Sequence, residues 1–215
     1  MIKHILFDLD GTIIDSEEGI LNSVRYALEK MGYPIPEKKE LNKFIGPPLF
    51  VSFSEFCGMS KEDAEKAVAC YREYYRPTGI YEFTVYSGVA SMLKKLADSG
   101  RKLYLATSKP EIFARQILEH CDLAKYFTDI TGSLLPSGRD TKVEVINHIL
   151  ATHTLDAADT VMVGDRHQDI EGAHEAGLLA IGITYGYGSE KELNRAGADV
   201  VAYSTKELYT IITHV

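Results

Sequence analysis

The second half of the chain alternates short apolar runs with longer amphipathic stretches. The runs are brief and rich in aliphatic residues, which predicts buried strands, whereas the stretches between them place apolar residues at helical spacing. We predict strands at 102–106, 129–131, 160–163, 179–184 and 199–202, and helices at 111–120, 142–151, 169–176, 189–196 and 205–212. This repetition of strand and helix is typical of a parallel sheet with helices on both faces.

The first half of the chain shows two further patterns. Residues 2–7 form one more apolar run and are expected to add a strand to the same sheet. Residues 17–80 show helical periodicity, divided by glycine and proline breakers and without a convincing strand pattern. We therefore expect an α/β protein with a Rossmann-like parallel sheet core, residues 1–15 and 83–215, and a small all-helical domain inserted after the first strand, residues 16–82.

Composition narrows the functional classes. The 215 residues are 45% hydrophobic and 25% charged, which is typical of a globular protein and excludes disordered and fibrous classes. A formal net charge of -8 repels polyanions, so we expect no nucleic acid polymer and no membrane as a partner. Three scattered cysteines indicate a reducing compartment, and the short apolar run before Asp8 is too short for a signal peptide or a membrane span. A cytoplasmic protein is the simplest interpretation.

Two carboxylates, Asp8 and Asp10, follow directly on the first strand. Open parallel sheets place their ligand sites at this carboxyl edge. One carboxylate can attack phosphorus and form an aspartyl-phosphate while the other moves a proton to the leaving group and then from water. The alternative is an ordinary strand-end turn, in which Asp and Gly satisfy backbone groups of the loop.

A second acidic cluster, with Asp165 and Asp169, comes straight after the apolar run at 160–163. Four carboxylates at neighbouring strand ends repel one another unless a cation lies among them, and oxygen ligands are those that Mg²⁺ prefers. We predict a Mg²⁺ site with Asp165 as a direct ligand. Asp169 is also explained as the N-cap of the following helix, and the two interpretations are compatible.

Positive charge and hydroxyl groups occur at other strand ends. Lys142 opens a predicted helix and can supply positive charge to a nucleophile and a phosphate, although a lone lysine is more often a solvated surface residue. Thr107 and Ser108 end the strand at 102–106, where a hydroxyl and backbone N–H groups can hold a phosphate oxygen. An ordinary helix cap before Pro110 explains them equally well. Arg139 can help to neutralise a substrate phosphate or can lie on the surface.

Taken in order, these segments resemble the four signature motifs of the haloacid dehalogenase superfamily: Asp8 to Thr12, Thr107 and Ser108, Lys142, and Gly164 to Asp169. The resemblance implies Asp8 as nucleophile, Asp10 as general acid and base, Thr107 as phosphate binder and Lys142 as the neutralising charge. It also implies Mg²⁺ held by the Asp8 carboxylate, the Asp10 backbone carbonyl and Asp165, with Asp169 in support. Thr12, Ser108 and Arg139 are expected to bind the substrate.

The helical insert is similar to the small cap of the phosphoglycolate phosphatase group. The segment from Phe44 to Leu49 resembles the substrate-facing cap loop of 5'-nucleotidase-like members, which implies substrate contacts by Gly46 and Leu49, although a bend between helices also explains its prolines. We expect a phosphatase of a small phosphorylated metabolite, a 5'-nucleotide or a phosphoglycolate-like compound, acting as a monomer or homodimer. A phosphomutase of the β-phosphoglucomutase type and a non-catalytic regulatory protein on the same fold remain as alternatives.

Overall fold

The computed structural model describes residues 2–214, and its regular structure within that range includes eight strands, ten α-helices and four three-residue 3-10 helices. The strands are β1 His4–Phe7, β2 Ile14–Asp15, β3 Thr84–Val85, β4 Lys102–Pro110, β5 Phe127–Ser133, β6 Thr160–Gly164, β7 Leu179–Ile183 and β8 Val200–Ala202. The helices are α1 Glu17–Met31, α2 Lys38–Leu41, α3 Leu49–Cys57, α4 Lys61–Tyr75, α5 Val89–Asp98, α6 Glu111–His120, α7 Lys142–His153, α8 His167–Glu175, α9 Glu190–Ala196 and α10 Thr205–His214.

Six strands form one parallel sheet in the order β5-β4-β1-β6-β7-β8. The first strand lies near the middle, with His4 level with Lys102 of β4 on one side and Thr160 of β6 on the other. Three of its four residues are fully buried, as is usual for a parallel strand covered on both faces. The predicted α/β fold with a parallel sheet is confirmed.

Local sequence signals set the start of the helix that carries Lys142. The Thr141 hydroxyl accepts a hydrogen bond from the Glu144 backbone N–H at 3.3 Å, and the Glu144 carboxylate accepts one from the Thr141 N–H at 3.0 Å. This reciprocal capping box satisfies two N–H groups that the first helical turn leaves without a partner. It fixes Lys142 as the first residue of α7.

Several element bounds differ from those predicted. β4 continues past Ala106 to Pro110, because an irregular stretch lets it resume pairing with Ser133 of β5. α8 begins at His167 rather than at Asp169, and α5 was not predicted. Among the described residues, no helix is both long enough and apolar enough to cross a membrane.

The chain divides into two compact units. The α/β unit comprises residues up to Asp15 and from Val85 onward, and the helical unit comprises Ser16–Thr84, two residues longer than the predicted insert. Within the helical unit α4 packs against α1 and α3. Its core includes the buried rings of Phe44 and Phe53, whose centroids are 5.2 Å apart in an edge arrangement.

Candidate active site

The first strand delivers Asp8 to the carboxyl edge of the sheet. The Asp8 backbone N–H donates to the Val163 carbonyl of β6 at 2.9 Å, which continues the ladder beyond Phe7. Gly11 then turns the chain with φ of 82°, and a Cβ there would lie 2.2 Å from the Asp165 carboxylate. Only glycine permits both the left-handed backbone and this close approach. The turn therefore brings the segment after β1 against the end of β6.

Three buried carboxylates meet at this edge. Asp8, Asp165 and Asp169 each offer an oxygen, and these oxygens lie within 4.8 Å of one another. Asp165 is fully buried and Asp169 is 1% exposed. An all-oxygen donor set of this kind suits Mg²⁺.

Lys142 reaches the same cluster from the first turn of α7. Its Nζ lies 2.8 Å from Asp8 Oδ1 and 2.8 Å from Asp169 Oδ1, and it donates to the Ala106 carbonyl at 2.9 Å. Burial lowers the pKa of Lys142, but Asp169 and Asp8 together raise it by more. The net shift is upward, so the side chain stays positively charged and neutralises part of the acidic cluster.

The single positive charge of Lys142 does not balance three buried carboxylates. Burial raises the pKa of Asp8 to about 6, partly offset by Lys142, and raises the pKa of Asp165 to about 8, with Asp169 and Asp8 adding to that rise. Burial disfavours the ionised form of these carboxyl groups, and a bound cation would stabilise that form. The donor chemistry and the charge balance of these residues thus fit a divalent metal ion.

The loop after β7 holds the Asp165 carboxylate. The backbone N–H groups of Tyr187 and Gly188 donate to its Oδ2 at 2.7 and 3.3 Å, and the Thr12 hydroxyl donates to Oδ1 at 3.4 Å. The Tyr185 hydroxyl donates to the Thr12 carbonyl at 3.3 Å, which connects the loop to the turn after β1. Thr12, which the resemblance assigns to substrate binding, thus contacts Asp165 in this structure.

Asp169 is not the N-cap of α8. It lies in the first turn of that helix, where its Oδ2 accepts a hydrogen bond from the Arg166 backbone N–H at 3.0 Å. A Cβ on Gly164 would lie 2.2 Å from the Asp169 carboxylate, so the glycine at the end of β6 makes room for this side chain. The correction follows from the earlier start of α8, which moves Asp169 inside the helix and turns its carboxylate toward Lys142.

One residue of the site was missed by the sequence analysis. Lys109 Nζ donates to both carboxylate oxygens of Asp10, at 2.8 Å each. The sequence signal was its place two residues after Thr107, at a predicted strand end, but a lysine there is usually solvated. Its partner precedes it by 99 residues, so only the fold shows the pair.

The other residues predicted to bind the substrate have partners outside the cluster of three carboxylates. Thr107 is buried and its hydroxyl accepts a hydrogen bond from the Lys109 backbone N–H at 3.2 Å, while Ser108 is exposed. The Arg139 side chain pairs with Glu111 at 2.6 Å. Their substrate contacts stay predictions, as do those of two residues in the helical unit, Gly46 and Leu49.

Comparison with known proteins agrees with this geometry. A family model described as haloacid dehalogenase-like hydrolase matches residues 5–183, most of the chain. The chain belongs to the haloacid dehalogenase-like hydrolase family. The matched residues include Asp8, Asp10, Lys142 and both acidic residues after β6.

Curated relatives of this hydrolase carry several names. A protein of Pseudomonas aeruginosa named 5'-nucleotidase is 45% identical over 88% of this chain and 86% of its own. A Mycobacterium tuberculosis protein named tyrosine-protein kinase PtkA is 35% identical over 93% of this chain and 68% of its own. A phosphoglycolate phosphatase of Vibrio parahaemolyticus is 30% identical over 98% of this chain and 96% of its own.

The fold is also similar to that of a solved structure. The crystal structure of a predicted phosphatase from Clostridium acetobutylicum superposes with a TM-score of 0.95 at 43% identity, covering 100% of both chains. The predicted superfamily, its phosphoglycolate phosphatase and 5'-nucleotidase-like branch, and the reaction class of a phosphoric monoester hydrolase are confirmed.

Proposed function

We propose that this hydrolase is a Mg²⁺-dependent phosphatase that passes the phosphoryl group of a small phosphomonoester first to Asp8 and then to water. The observation that carries the proposal is the position of Asp8. Its carboxylate is buried at the end of the central strand, 2.8 Å from the Lys142 ammonium and next to the oxygens of Asp165 and Asp169. A nucleophile beside fixed positive charge suits the transfer of an anionic group.

The proposed reaction divides two tasks between Asp8 and Asp10. An Asp8 oxygen attacks phosphorus and the ester P–O bond breaks, while Asp10 gives its proton to the departing oxygen. Asp10 then takes a proton from the water that attacks the acyl phosphate, which releases inorganic phosphate, restores the Asp8 carboxylate and returns Asp10 to its protonated form. Lys142 stabilises the negative charge near Asp8 in both steps.

Four residues are proposed to hold the metal ion: Asp8, Asp165 and Asp169 through their carboxylates and Asp10 through its backbone carbonyl. Mg²⁺ held by these residues would supply positive charge to the phosphoryl oxygens. Thr107 and Ser108 are proposed to bind a phosphate oxygen, with Thr12 and Arg139 in support.

The substrate is proposed to be a compact metabolite, a 5'-nucleotide or a phosphoglycolate-like compound. The names of the relatives from P. aeruginosa and V. parahaemolyticus support this choice. Gly46 and Leu49 are proposed to contact the leaving group, which is the part of the molecule that differs among phosphomonoesters.

The test is a panel assay of the purified protein with Mg²⁺ on a 5'-nucleotide, phosphoglycolate, a sugar phosphate and a phosphopeptide. We expect release of inorganic phosphate, highest for the first two. Asp8→Asn should fold and lose activity by roughly four powers of ten or more, because a neutral amide cannot form the acyl phosphate. Wild-type turnover by Asp8→Asn contradicts the mechanism, and a sugar bisphosphate product in place of free phosphate indicates a mutase.

A further inference from the structure

Lys109 and Asp10 form an ion pair with two equal bonds. Lys109 Nζ lies 2.8 Å from each oxygen of the Asp10 carboxylate, and the two side chains are 8% and 18% exposed. An ammonium with three N–H groups can satisfy both oxygens, yet one bond is enough to keep it attached. Either Asp10 oxygen can therefore give up its hydrogen bond to Lys109 while the other oxygen keeps one.

The backbone around Lys109 is irregular and closely packed. The register between β4 and β5 shifts between Ala106 and Pro110, which interrupts the regular alternation of side chains. Within that irregular stretch, the buried Thr107 hydroxyl accepts the Lys109 backbone N–H at 3.2 Å. A Cβ on Gly132 of β5 would lie 2.3 Å from the Lys109 carbonyl, so the two backbones approach closely at this point. Contacts on both sides thus hold the backbone from which the Lys109 side chain extends to Asp10.

The two lysines of the site serve different carboxylates. Lys142 lies between Asp8 and Asp169, and the loop after β7 holds Asp165 through backbone N–H groups. Lys109 contacts the Asp10 carboxylate through both oxygens. The Asp10 carboxylate, which has the proposed acid and base role, is thus held separately from the three carboxylates with the proposed nucleophile and metal roles.

We propose that Lys109 is the positioning residue of Asp10, anchoring one carboxylate oxygen while the other exchanges a proton with the leaving group and with water. The inference rests on the proposed phosphatase mechanism. As the ester bond breaks, the proton moves from the unanchored Asp10 oxygen to the leaving-group oxygen, and a proton of the attacking water later restores it. Lys109 itself gives up no proton.

The test compares two leaving groups in Lys109→Met and Lys109→Arg. An alkyl phosphate needs a proton on its leaving oxygen, whereas a nitrophenyl phosphate leaves readily without one. In Lys109→Met we expect the single-turnover rate of phosphoryl transfer to Asp8 to fall by roughly a hundredfold or more for the alkyl phosphate, and by less than about tenfold for the nitrophenyl phosphate. KM should change little for either substrate, and Lys109→Arg should recover much of the loss, since guanidinium can also bond both oxygens.

A double-mutant cycle with Asp10→Asn separates positioning from other roles. If Lys109 acts through Asp10, adding Lys109→Met to Asp10→Asn should lower kcat for the alkyl phosphate little further. Lys94→Met, which removes an exposed lysine paired with Asp98, is the matched control and should behave as wild type.

The outcomes distinguish this inference from the proposed function. Equal losses of the single-turnover transfer rate on both substrates with a raised KM, or fully additive losses in the double variant, overturn the inference and point to direct contact of Lys109 with the substrate. A wild-type protein that hydrolyses no phosphomonoester overturns the proposed function itself, and the inference with it.

Discussion

Lysine–carboxylate pairs occur in both units of the molecule, but in opposite surroundings. At the sheet edge, the Lys142 side chain is 5% exposed and lies between Asp8 and Asp169, which are themselves buried. On the helical unit, Lys66 pairs with Glu62 one turn away on α4, with side chains 58% and 79% exposed. Water solvates the second pair whether or not it forms, whereas the first has exchanged most of its hydration for contacts within the protein.

This difference in burial indicates different roles: the buried charges at the sheet edge are candidates for function, and the exposed charges of the helical unit interact mainly with water. Buried ion pairs are seldom a route to stability, because well-packed apolar residues of similar volume are often at least as stabilising. The charges at the sheet edge are therefore better explained by chemistry than by stability. The exposed pairs of the helical unit need no such explanation.

The largest effect on the fold is expected from Lys142→Met. Removing the ammonium leaves Asp8 and Asp169 buried without their cation, which should lower the free energy of unfolding by about 3–5 kcal/mol. Denaturant unfolding of the metal-free protein measures it. Since protonation of Asp8 relieves the penalty, the loss should shrink at acidic pH, and a loss that does not depend on pH contradicts this account.

A smaller effect is expected on the stabilisation by Mg²⁺, which should depend on pH. Because the pKa of Asp165 is raised to about 8 in the metal-free fold, the folded protein keeps a proton that the unfolded chain releases near pH 4. Ionisation of Asp165 therefore destabilises the metal-free fold progressively from about pH 4 to about pH 8. Mg²⁺ has to displace this proton, so it should raise the thermal midpoint more at about pH 9 than at about pH 6.

Thermal unfolding with Mg²⁺ and with a chelator at both pH values checks this prediction. Taking the difference between the two conditions removes the contribution of groups that do not sense the ion. Asp165→Asn is the control and should lose most of the pH dependence of that difference, with the remainder due to Asp8, whose pKa burial raises to about 6. An equal gain at both pH values in the wild type contradicts the assignment of Asp165 as a ligand.

A substitution in the helical unit is expected to change substrate specificity alone. Leu49→Ala should alter the ranking of substrates by several-fold in kcat/KM while leaving hydrolysis of a small aryl phosphate nearly unchanged. The reason is that, in the proposed mechanism, the residues of the α/β unit act on the phosphoryl group, which all substrates share. An unchanged ranking places specificity elsewhere in the chain.

The smallest effect is expected from Lys66→Met. Its pair with Glu62 is exposed and screened, so the unfolding midpoint should stay within the error of the measurement. A loss comparable to that of Lys142→Met removes the contrast drawn between the two regions.

The residues that sequence reasoning found share one property. Asp8, Thr107 and Asp165 each follow an apolar run, so the rule that parallel strands end at a common edge was enough to place them together. Lys109 lies in the continuation of β4 beyond Ala106, where register with β5 decides its direction, and no local pattern shows that register. Asp169 was found, but its local role depended on where α8 begins, and helix bounds are the least readable feature of a sequence.

The strand order also has a consequence for how the protein is made. β1 is paired on one side with β4 and on the other with β6, so the centre of the sheet is complete only after residue 164 has left the ribosome. The helical unit is a continuous stretch of chain and can acquire its contacts earlier. During synthesis the first strand, three of whose four residues are apolar, therefore has to wait for neighbours that emerge about 100 and 160 residues later. A chain arrested before β6 carries Asp8 but lacks Asp165 and Asp169, the two carboxylates that complete its surroundings.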